Sequence, residues 1–102
     1  MNYTEFEKTQ RQIMLKNLNH YLEANGMDSL HALNKYQGIL ISNKLTEEER
    51  NGWIDISKNT LYNLHSPDAN PNLETLIKIS FLLGIELGEL FKNKLGGKNN
   101  EQ

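Results

Sequence analysis

The sequence contains no cysteine among its 102 residues, so it can form neither a disulfide framework nor a thiolate metal site. It also lacks the charged start and apolar core of a signal peptide, and we therefore expect a cytoplasmic protein. The longest mainly apolar stretch, residues 79–85, is far shorter than the roughly 20 residues that cross a bilayer. We expect no membrane span.

A surplus of positive charge is missing too. The formal net charge is -2 at pH 7, with 11 Lys and Arg against 13 Asp and Glu. Because phosphate contact usually requires a basic excess, this balance counts against a nucleic-acid partner. A small domain can still bind DNA if its few cations share one face.

Signatures of catalysis and metal binding are absent as well. There is no phosphate-cradling glycine loop and no motif of a Ser or Cys nucleophile. The glutamates at 47–49 would fan around a helix and cannot converge on one substrate. The histidines fall on separate predicted elements without metal-ligand spacing, and they are His20, His31 and His65. We expect no enzymatic activity, no metal and no cofactor.

Hydrophobic residues make up 37 % of the chain and charged residues 24 %, which is typical of a globular protein of this length with one core. The patterns described below predict an all-α fold, a compact bundle of about five helices. We expect residues 1–95 to form this domain and residues 96–102 to be a flexible tail.

Two helices are predicted in the first part of the chain. Thr4-Glu5-Phe6-Glu7 is a capping box, and Asn25-Gly26 supplies a left-handed stop to the helix that follows it. A second helix is predicted after Asp28, with Gly38 as its terminator. The apolar residues at helical spacing are Phe6, Ile13, Met14, Leu18, Tyr21 and Leu22 in the first helix, and Leu30, Leu33, Tyr36 and Leu40 in the second.

Residues 39–55 are interpreted as an insertion, a short helix or a hairpin. Ile39-Leu40-Ile41 and Trp53-Ile54-Asp55-Ile56 are strand-like, whereas Thr46-Glu47-Glu48-Glu49 between them is another capping box. Trp53 is either a dimer contact or part of the core beneath the insertion. The sequence leaves both alternatives open.

Three further helices are predicted after the insertion. Ser57 is a good N-cap for a helix of about three turns, and Asn72 caps a longer helix that Gly84 ends. A last short helix fits residues 86–93. The residues predicted to face inwards are Leu61 and Leu64 in the first of these helices, Leu73, Leu76, Ile77, Ser80 and Leu83 in the second, and Leu87, Leu90 and Phe91 in the third.

Three segments carry a resemblance to a known family. ISKNTLYNL (56–64), NPNLETLIKI (70–79) and LGIELGELF (83–91) together resemble the lambda-repressor-like helix-turn-helix family of the Cro and Xre type. The resemblance implies a transcription regulator, a repressor of phage or bacterial type. Such a protein binds double-stranded DNA as a two-fold homodimer, with the helix after Ser57 in the major groove.

The resemblance also implies roles for individual residues. Asparagine can bond adenine in two places and lysine can donate to guanine, so the predicted base contacts are Lys58, Asn59, Tyr62 and Asn63. The predicted phosphate contacts are Ser57, Thr60, Ser66, Lys35 and Lys44.

The chain departs from the family in two places. Asp68-Ala69 stands where basic residues often follow the recognition helix, so we expect weak or strongly salt-sensitive DNA binding. The connection from the first helix to Ser57 is also longer than usual. Either residues 28–38 are the second helix of the motif, or that helix begins at Leu45. We favour the first, because the second would bury Arg50 without a partner.

The alternative function is that of a protein-interaction module, such as an antitoxin or antirepressor, on the same bundle. The negative net charge and Asp68 favour it. In that case another protein is the partner.

Overall fold

The computed structural model describes residues 2–66 and 68–93, and its order is five α-helices followed by a short 3-10 helix. The helices are α1 (Tyr3–Ala24), α2 (Leu30–Lys44), α3 (Glu47–Arg50), α4 (Lys58–Asn63) and α5 (Leu73–Leu83), and the 3-10 helix is Leu87–Phe91. No strand occurs in this part of the chain, and the predicted all-helical bundle is confirmed. None of its helices is both long and apolar enough to traverse a bilayer. The predicted tail, residues 96–102, lies outside the described residues.

Side-chain caps set the start of the first two helices, although not at the predicted residues. Asn2 caps α1, where its Oδ1 accepts a hydrogen bond from the Glu5 amide at 2.9 Å and its own amide donates to the Glu5 carboxylate at 3.2 Å. The predicted start at Thr4 was two residues late, because Glu5 closes this earlier capping box. Ser29, and not Asp28, caps α2 by accepting from the Ala32 amide at 3.3 Å. At the end of α1, Gly26 has the predicted left-handed φ of 77°.

Helix α2 passes through Gly38 and continues to Lys44, so the prediction that Gly38 ends it was wrong. Ile41 is buried one turn after Gln37 and extends the apolar side of the helix. Burial of such a side chain stabilises the fold by more than the roughly 1 kcal/mol that an internal glycine costs. The predicted insertion at 39–55 is therefore smaller, and it holds α3 and no strand.

The core lies between α1, α2, α4, α5 and the 3-10 helix. Its members are apolar side chains that expose less than a tenth of their surface: Met14, Leu18, Leu22, Met27, Leu30, Leu33, Ile41, Ile56, Leu61, Leu64, Ala69, Leu76, Ile79, Leu82, Leu83 and Leu90. Phe6 and Tyr36, both predicted to face inwards, are exposed. Each lies where no other described helix covers its side of α1 or α2.

The inner side of α5 also differs from its prediction. Leu73 and Ile77 are 61 % and 49 % exposed, whereas Leu76, Ile79 and Leu83 are buried. This helix has apolar residues on two sides, so helical spacing alone cannot choose the side that meets the core. Its predicted limits are confirmed: Asn72 caps it, and Gly84 ends it in the left-handed conformation at a φ of 70°.

A buried asparagine ties the end of the described chain to α1. The Nδ2 of Asn17 donates to the carbonyl oxygens of Glu89, Leu90 and Lys92 at 3.3, 3.0 and 2.6 Å. The two amide hydrogens of Asn17 are thus shared among three carbonyl groups at the end of the 3-10 helix. Leu90 is fully buried as predicted, but Phe91 remains 43 % exposed.

A buried glutamine holds the residue that precedes α4. The Gln37 side chain donates through Nε2 to the Ile56 carbonyl at 2.9 Å, and its Oε1 accepts from the Ile56 amide at 3.0 Å. Gln37 is 4 % exposed and Ile56 is 5 % exposed, so water does not compete for these groups. The start of α4 is therefore fixed against the middle of α2.

Substitution of this glutamine should weaken the fold. Gln37→Leu leaves the amide and carbonyl groups of Ile56 buried without partners, and we expect the free energy of unfolding to fall by about 2–4 kcal/mol. Urea denaturation followed by circular dichroism measures the change. Gln12→Leu, an exposed glutamine of α1, is the matched control and should change stability by less than about 0.5 kcal/mol. Equal effects of the two substitutions would contradict the importance of the buried pair.

Candidate nucleic-acid interface

Helix α4 begins where the sequence predicted and is shorter than predicted. Ser57 is its N-cap, since its Oγ accepts from the Thr60 amide at 3.1 Å and donates to the Thr60 Oγ1 at 2.7 Å. The helix runs over the six residues Lys58–Asn63, fewer than the three turns expected. After Asn63 the chain tightens into a turn, in which the amides of residues 64, 65 and 66 each donate to the carbonyl three residues earlier.

The two sides of α4 differ sharply. Leu61 and Leu64 are 1 % and 3 % exposed and face the core next to α2. The opposite side carries all four residues predicted to contact bases, and each is exposed: Lys58, Asn59, Tyr62 and Asn63. No acidic residue occurs from 57 to 66. The outer side of α4 is therefore polar, uncharged or positive, and accessible.

A small cleft separates α4 from the first turns of α2. Its lining residues are Leu30, His31 and Asn34 of α2 with Lys58, Leu61, Tyr62 and His65. The cleft thus brings together two histidines that the sequence assigned to separate elements. The imidazole of His65 lies 6.1 Å from the Tyr62 ring, centroid to centroid. Lys35, a predicted phosphate contact, is exposed one turn after His31.

A larger polar cleft of about 490 Å³ lies on the other side of α4, towards the start of α5. Its polar lining residues are Thr60, Asn63, Ser66, Asp68, Asn70, Asn72 and Thr75. The Ser66 amide, predicted to contact phosphate, already donates to the Asn63 carbonyl at 3.2 Å. The Ser66 Oγ accepts from the Asp68 amide at 3.1 Å, which leaves its hydroxyl hydrogen as the possible donor.

The sequence did not predict that residues from the starts of α2 and α5 would lie beside α4 in these clefts. They are His31 and Asn34 on one side and Asn72 and Thr75 on the other. The available signal was the two helix starts: His31 and Asn34 follow the cap at Ser29, and Thr75 follows the cap at Asn72. Spacing along the chain does not reveal that both helices begin beside α4.

Three acidic residues flank α4, and two of them have partners. The Asp55 carboxylate accepts from the Trp53 indole at 2.9 Å, and the Glu74 carboxylate lies 3.4 Å from the Lys78 ammonium. Asp68 lines the larger cleft. Its negative charge reduces the positive potential on that side of α4, so any attraction for an anion is strongest on the side of Lys58.

Lys44 is not brought near α4. Its ammonium group lies 5.7 Å from the centroid of the Phe81 ring, at the opposite end of α2 from the cleft that contains His31. Arg50, the other cation of this region, turns back to α2 and donates to the Ser42 hydroxyl at 3.1 Å. The two groups are held against the outside of the bundle.

Helix α2 is the packing partner of α4, as the favoured alignment required. Helix α3 contains no buried residue, and Arg50, Asn51 and Gly52 are exposed, so the alternative alignment with a buried Arg50 does not describe this chain. Residues 45–57 connect α2 to α4, a longer link than the turn of three or four residues in a typical helix-turn-helix.

Two substitutions of Ser57 test its role as the N-cap of α4: one removes the capping oxygen, and the other keeps a capping oxygen and adds a negative charge. Ser57→Ala removes the hydrogen bond to the Thr60 amide and should lower the free energy of unfolding by about 1 kcal/mol. Ser57→Asp retains an N-cap acceptor and should fold with stability close to that of the original protein. Thermal denaturation of the two variants is the measurement, and a greater loss for Asp than for Ala would refute the capping role.

Comparison of the chain with known protein families, with curated proteins and with solved structures finds no match. The family resemblance of residues 56–91 therefore remains a prediction. What supports a function is the geometry around α4 and the residues that form it.

Proposed function

We propose that this protein is a sequence-specific DNA-binding regulator that reads the major groove with α4. The observation that carries the proposal is the outer side of α4, where Lys58, Asn59, Tyr62 and Asn63 are exposed together while Leu61 anchors the helix to the core. A short helix that presents amide and ammonium groups in this way fits the width and the donor and acceptor pattern of the major groove. Asparagine selects adenine and lysine selects guanine in that setting.

Groups that can contact phosphate lie on both sides of α4. Thr60 and Ser66 offer hydroxyl groups in the larger cleft on the α5 side. On the α2 side, Lys35 is exposed outside the smaller cleft, one turn after His31, with its ammonium group 5.5 Å from the centroid of the Tyr36 ring. Ser57 uses its hydroxyl within the helix cap, so its contribution is to orient Thr60. These contacts set the register of the protein on DNA and carry little sequence information.

Two copies on a palindromic site would supply the specificity that one short helix lacks. Occupation of such a site next to a promoter blocks transcription, which is the action of a repressor. With few cations at the interface, affinity should be modest and should fall as salt rises.

The experiment that tests this proposal is selection from a pool of random duplex DNA by the purified chain at low salt, followed by a salt titration of the enriched sequences. The proposal expects enrichment of a two-fold symmetric site. Failure to prefer any sequence over the starting pool would overturn it.

Two substitutions on α4 test which residues read the bases. Lys58→Ala and Asn63→Ala should each weaken binding to the selected site by about 10- to 100-fold, because each removes a base contact of roughly 1–3 kcal/mol. Fluorescence anisotropy measures the affinity. Lys92→Ala is the control for loss of one positive charge, since Lys92 follows the 3-10 helix and pairs with Glu89 at 2.7 Å. If Lys92→Ala weakens binding as much as Lys58→Ala, α4 is not the reading element.

The second candidate is a module that binds another protein. It is favoured by Asp68 in the larger cleft and by the net charge of -2, both of which suit a basic protein surface better than a phosphate backbone. The α4 substitutions separate the two functions. Loss of DNA binding with retained folding supports the regulator. A chain with no affinity for DNA, whose binding to a protein partner is unchanged by the α4 substitutions, supports the second candidate.

A further inference from the structure

Helix α5 has a second apolar side that the other described elements cover only in part: Trp53 and Lys44 lie beside Phe81, and Leu73 lines a cleft shared with α1. Leu73, Ile77 and Phe81 follow each other at intervals of four residues, and they are 61 %, 49 % and 40 % exposed. We name these three residues the α5 stripe. The other side of the same helix is buried in the core through Leu76 and Ile79. A helix that is apolar on both sides is typical of one that is covered on both sides.

The α5 stripe continues into apolar surface at both ends. Beyond Leu73, a cleft of about 340 Å³ between α5 and α1 is lined in part by Met14 and Phe91. Beyond the other end, the Trp53 ring lies 5.9 Å from the Phe81 ring, centroid to centroid. A continuous band of this kind marks an interaction surface more often than scattered exposed residues do.

We infer that the α5 stripe is the surface through which two copies of this chain associate, with their α5 helices antiparallel about a two-fold axis at Ile77. The spacing of the stripe is symmetric, since Leu73 and Phe81 lie four residues before and four residues after Ile77. In a two-fold interface every contact occurs twice. If one residue of the first copy contacts a second residue of the other copy, the same two residues also make contact with the copies exchanged. Ile77 packs against Ile77, and Leu73 of each copy packs against Phe81 of the other.

The charges beside the α5 stripe of one copy also complement those of the second copy after the two-fold rotation about Ile77. Glu74 follows Leu73 with a side chain that is 75 % exposed, and its carboxylate lies 3.4 Å from the ammonium group of Lys78 in the same helix. Lys44 holds its ammonium over Phe81, 5.7 Å from the ring centroid. Because Leu73 of one copy meets Phe81 of the other, Glu74 and Lys44 of different copies approach each other at both ends of the interface.

The association of two copies rests on the proposed function, since a palindromic DNA site is bound by a two-fold pair. It involves residues other than those of α4, and its test does not require DNA. The larger cleft links α4 to the first turn of α5. In an antiparallel pair the two first turns lie at opposite ends of the interface, so the two α4 helices lie on opposite sides of the two-fold axis.

The test is the oligomeric state of the full chain, measured by sedimentation without DNA over a range of about 5 to 500 µM, which covers the weak association expected of a small interface. Ile77→Glu places two like charges together at the axis and should raise the dissociation constant at least about a hundredfold. Ile39→Glu is the matched control, because Ile39 is an isoleucine within α2 that is 59 % exposed and lies outside the stripe. It should leave association unchanged.

Charge exchange tests the arrangement of the two copies without an apolar substitution. Glu74→Lys and Lys44→Glu should each weaken association by about 3- to 10-fold, and the double variant should recover most of the loss. Circular dichroism establishes that every variant is folded. A monomer at all concentrations, or a dimer that Ile77→Glu leaves intact, would overturn the inference, and so would a stripe that binds only an unrelated protein. If the dimer forms and DNA binding fails, the DNA proposal alone is lost.

Discussion

The position of α4 depends on the pair of hydrogen bonds between the Gln37 side chain and the backbone of Ile56. Residues 45–57 form a long link from α2, and α3 within that link buries none of its residues. A link of this kind does not by itself determine where the next helix begins. The Gln37 amide supplies a donor and an acceptor in fixed geometry, and Ile56 is followed at once by the cap at Ser57. Helix α4 therefore starts from an anchored point and packs Leu61 against α2.

The distribution of charge leaves the outer side of α4 without an acidic side chain, although the chain as a whole carries a net charge of -2. The glutamates at 47–49 belong to α3, which follows the end of α2, whereas the cleft beside α4 contains the first turns of α2. Of the acids closest to α4, Asp55 and Glu74 have partners within the protein. Lys58 is thus the charge that dominates the outer side of α4. The net charge of the chain is a poor guide to the field at one face.

Local signals in the sequence predicted the helix ends well where caps are unambiguous, as at Ser57, Asn72 and Gly84. They failed where packing outweighs propensity. Gly38 does not end α2, because Ile41 continues the buried side of that helix. The sequence predicted which residues of α4 are exposed, since the burial of Leu61 fixes its outer side. It did not predict that His31 or Thr75 would lie beside α4, because long-range packing decides those neighbours.

The helical spacing of apolar residues also did not predict which of them are exposed. Helix α5 has apolar residues on two sides, and the positions of α2 and the 3-10 helix decide which side is buried. The other side contains Leu73 and Ile77, which is why exposed apolar surface is found where a core was predicted. The same ambiguity exists in any short helix that packs between a domain and a second copy.

The most direct measurement of the central claim is a titration of the isotopically labelled chain with duplex DNA at low salt, followed by backbone amide chemical shifts. If α4 enters the groove, the largest changes occur at residues 57–66, with smaller ones at His31 and Asn34 in the neighbouring cleft. Shifts that stay unchanged, or that concentrate on α3 or the 3-10 helix, would contradict the assignment of α4 as the reading helix.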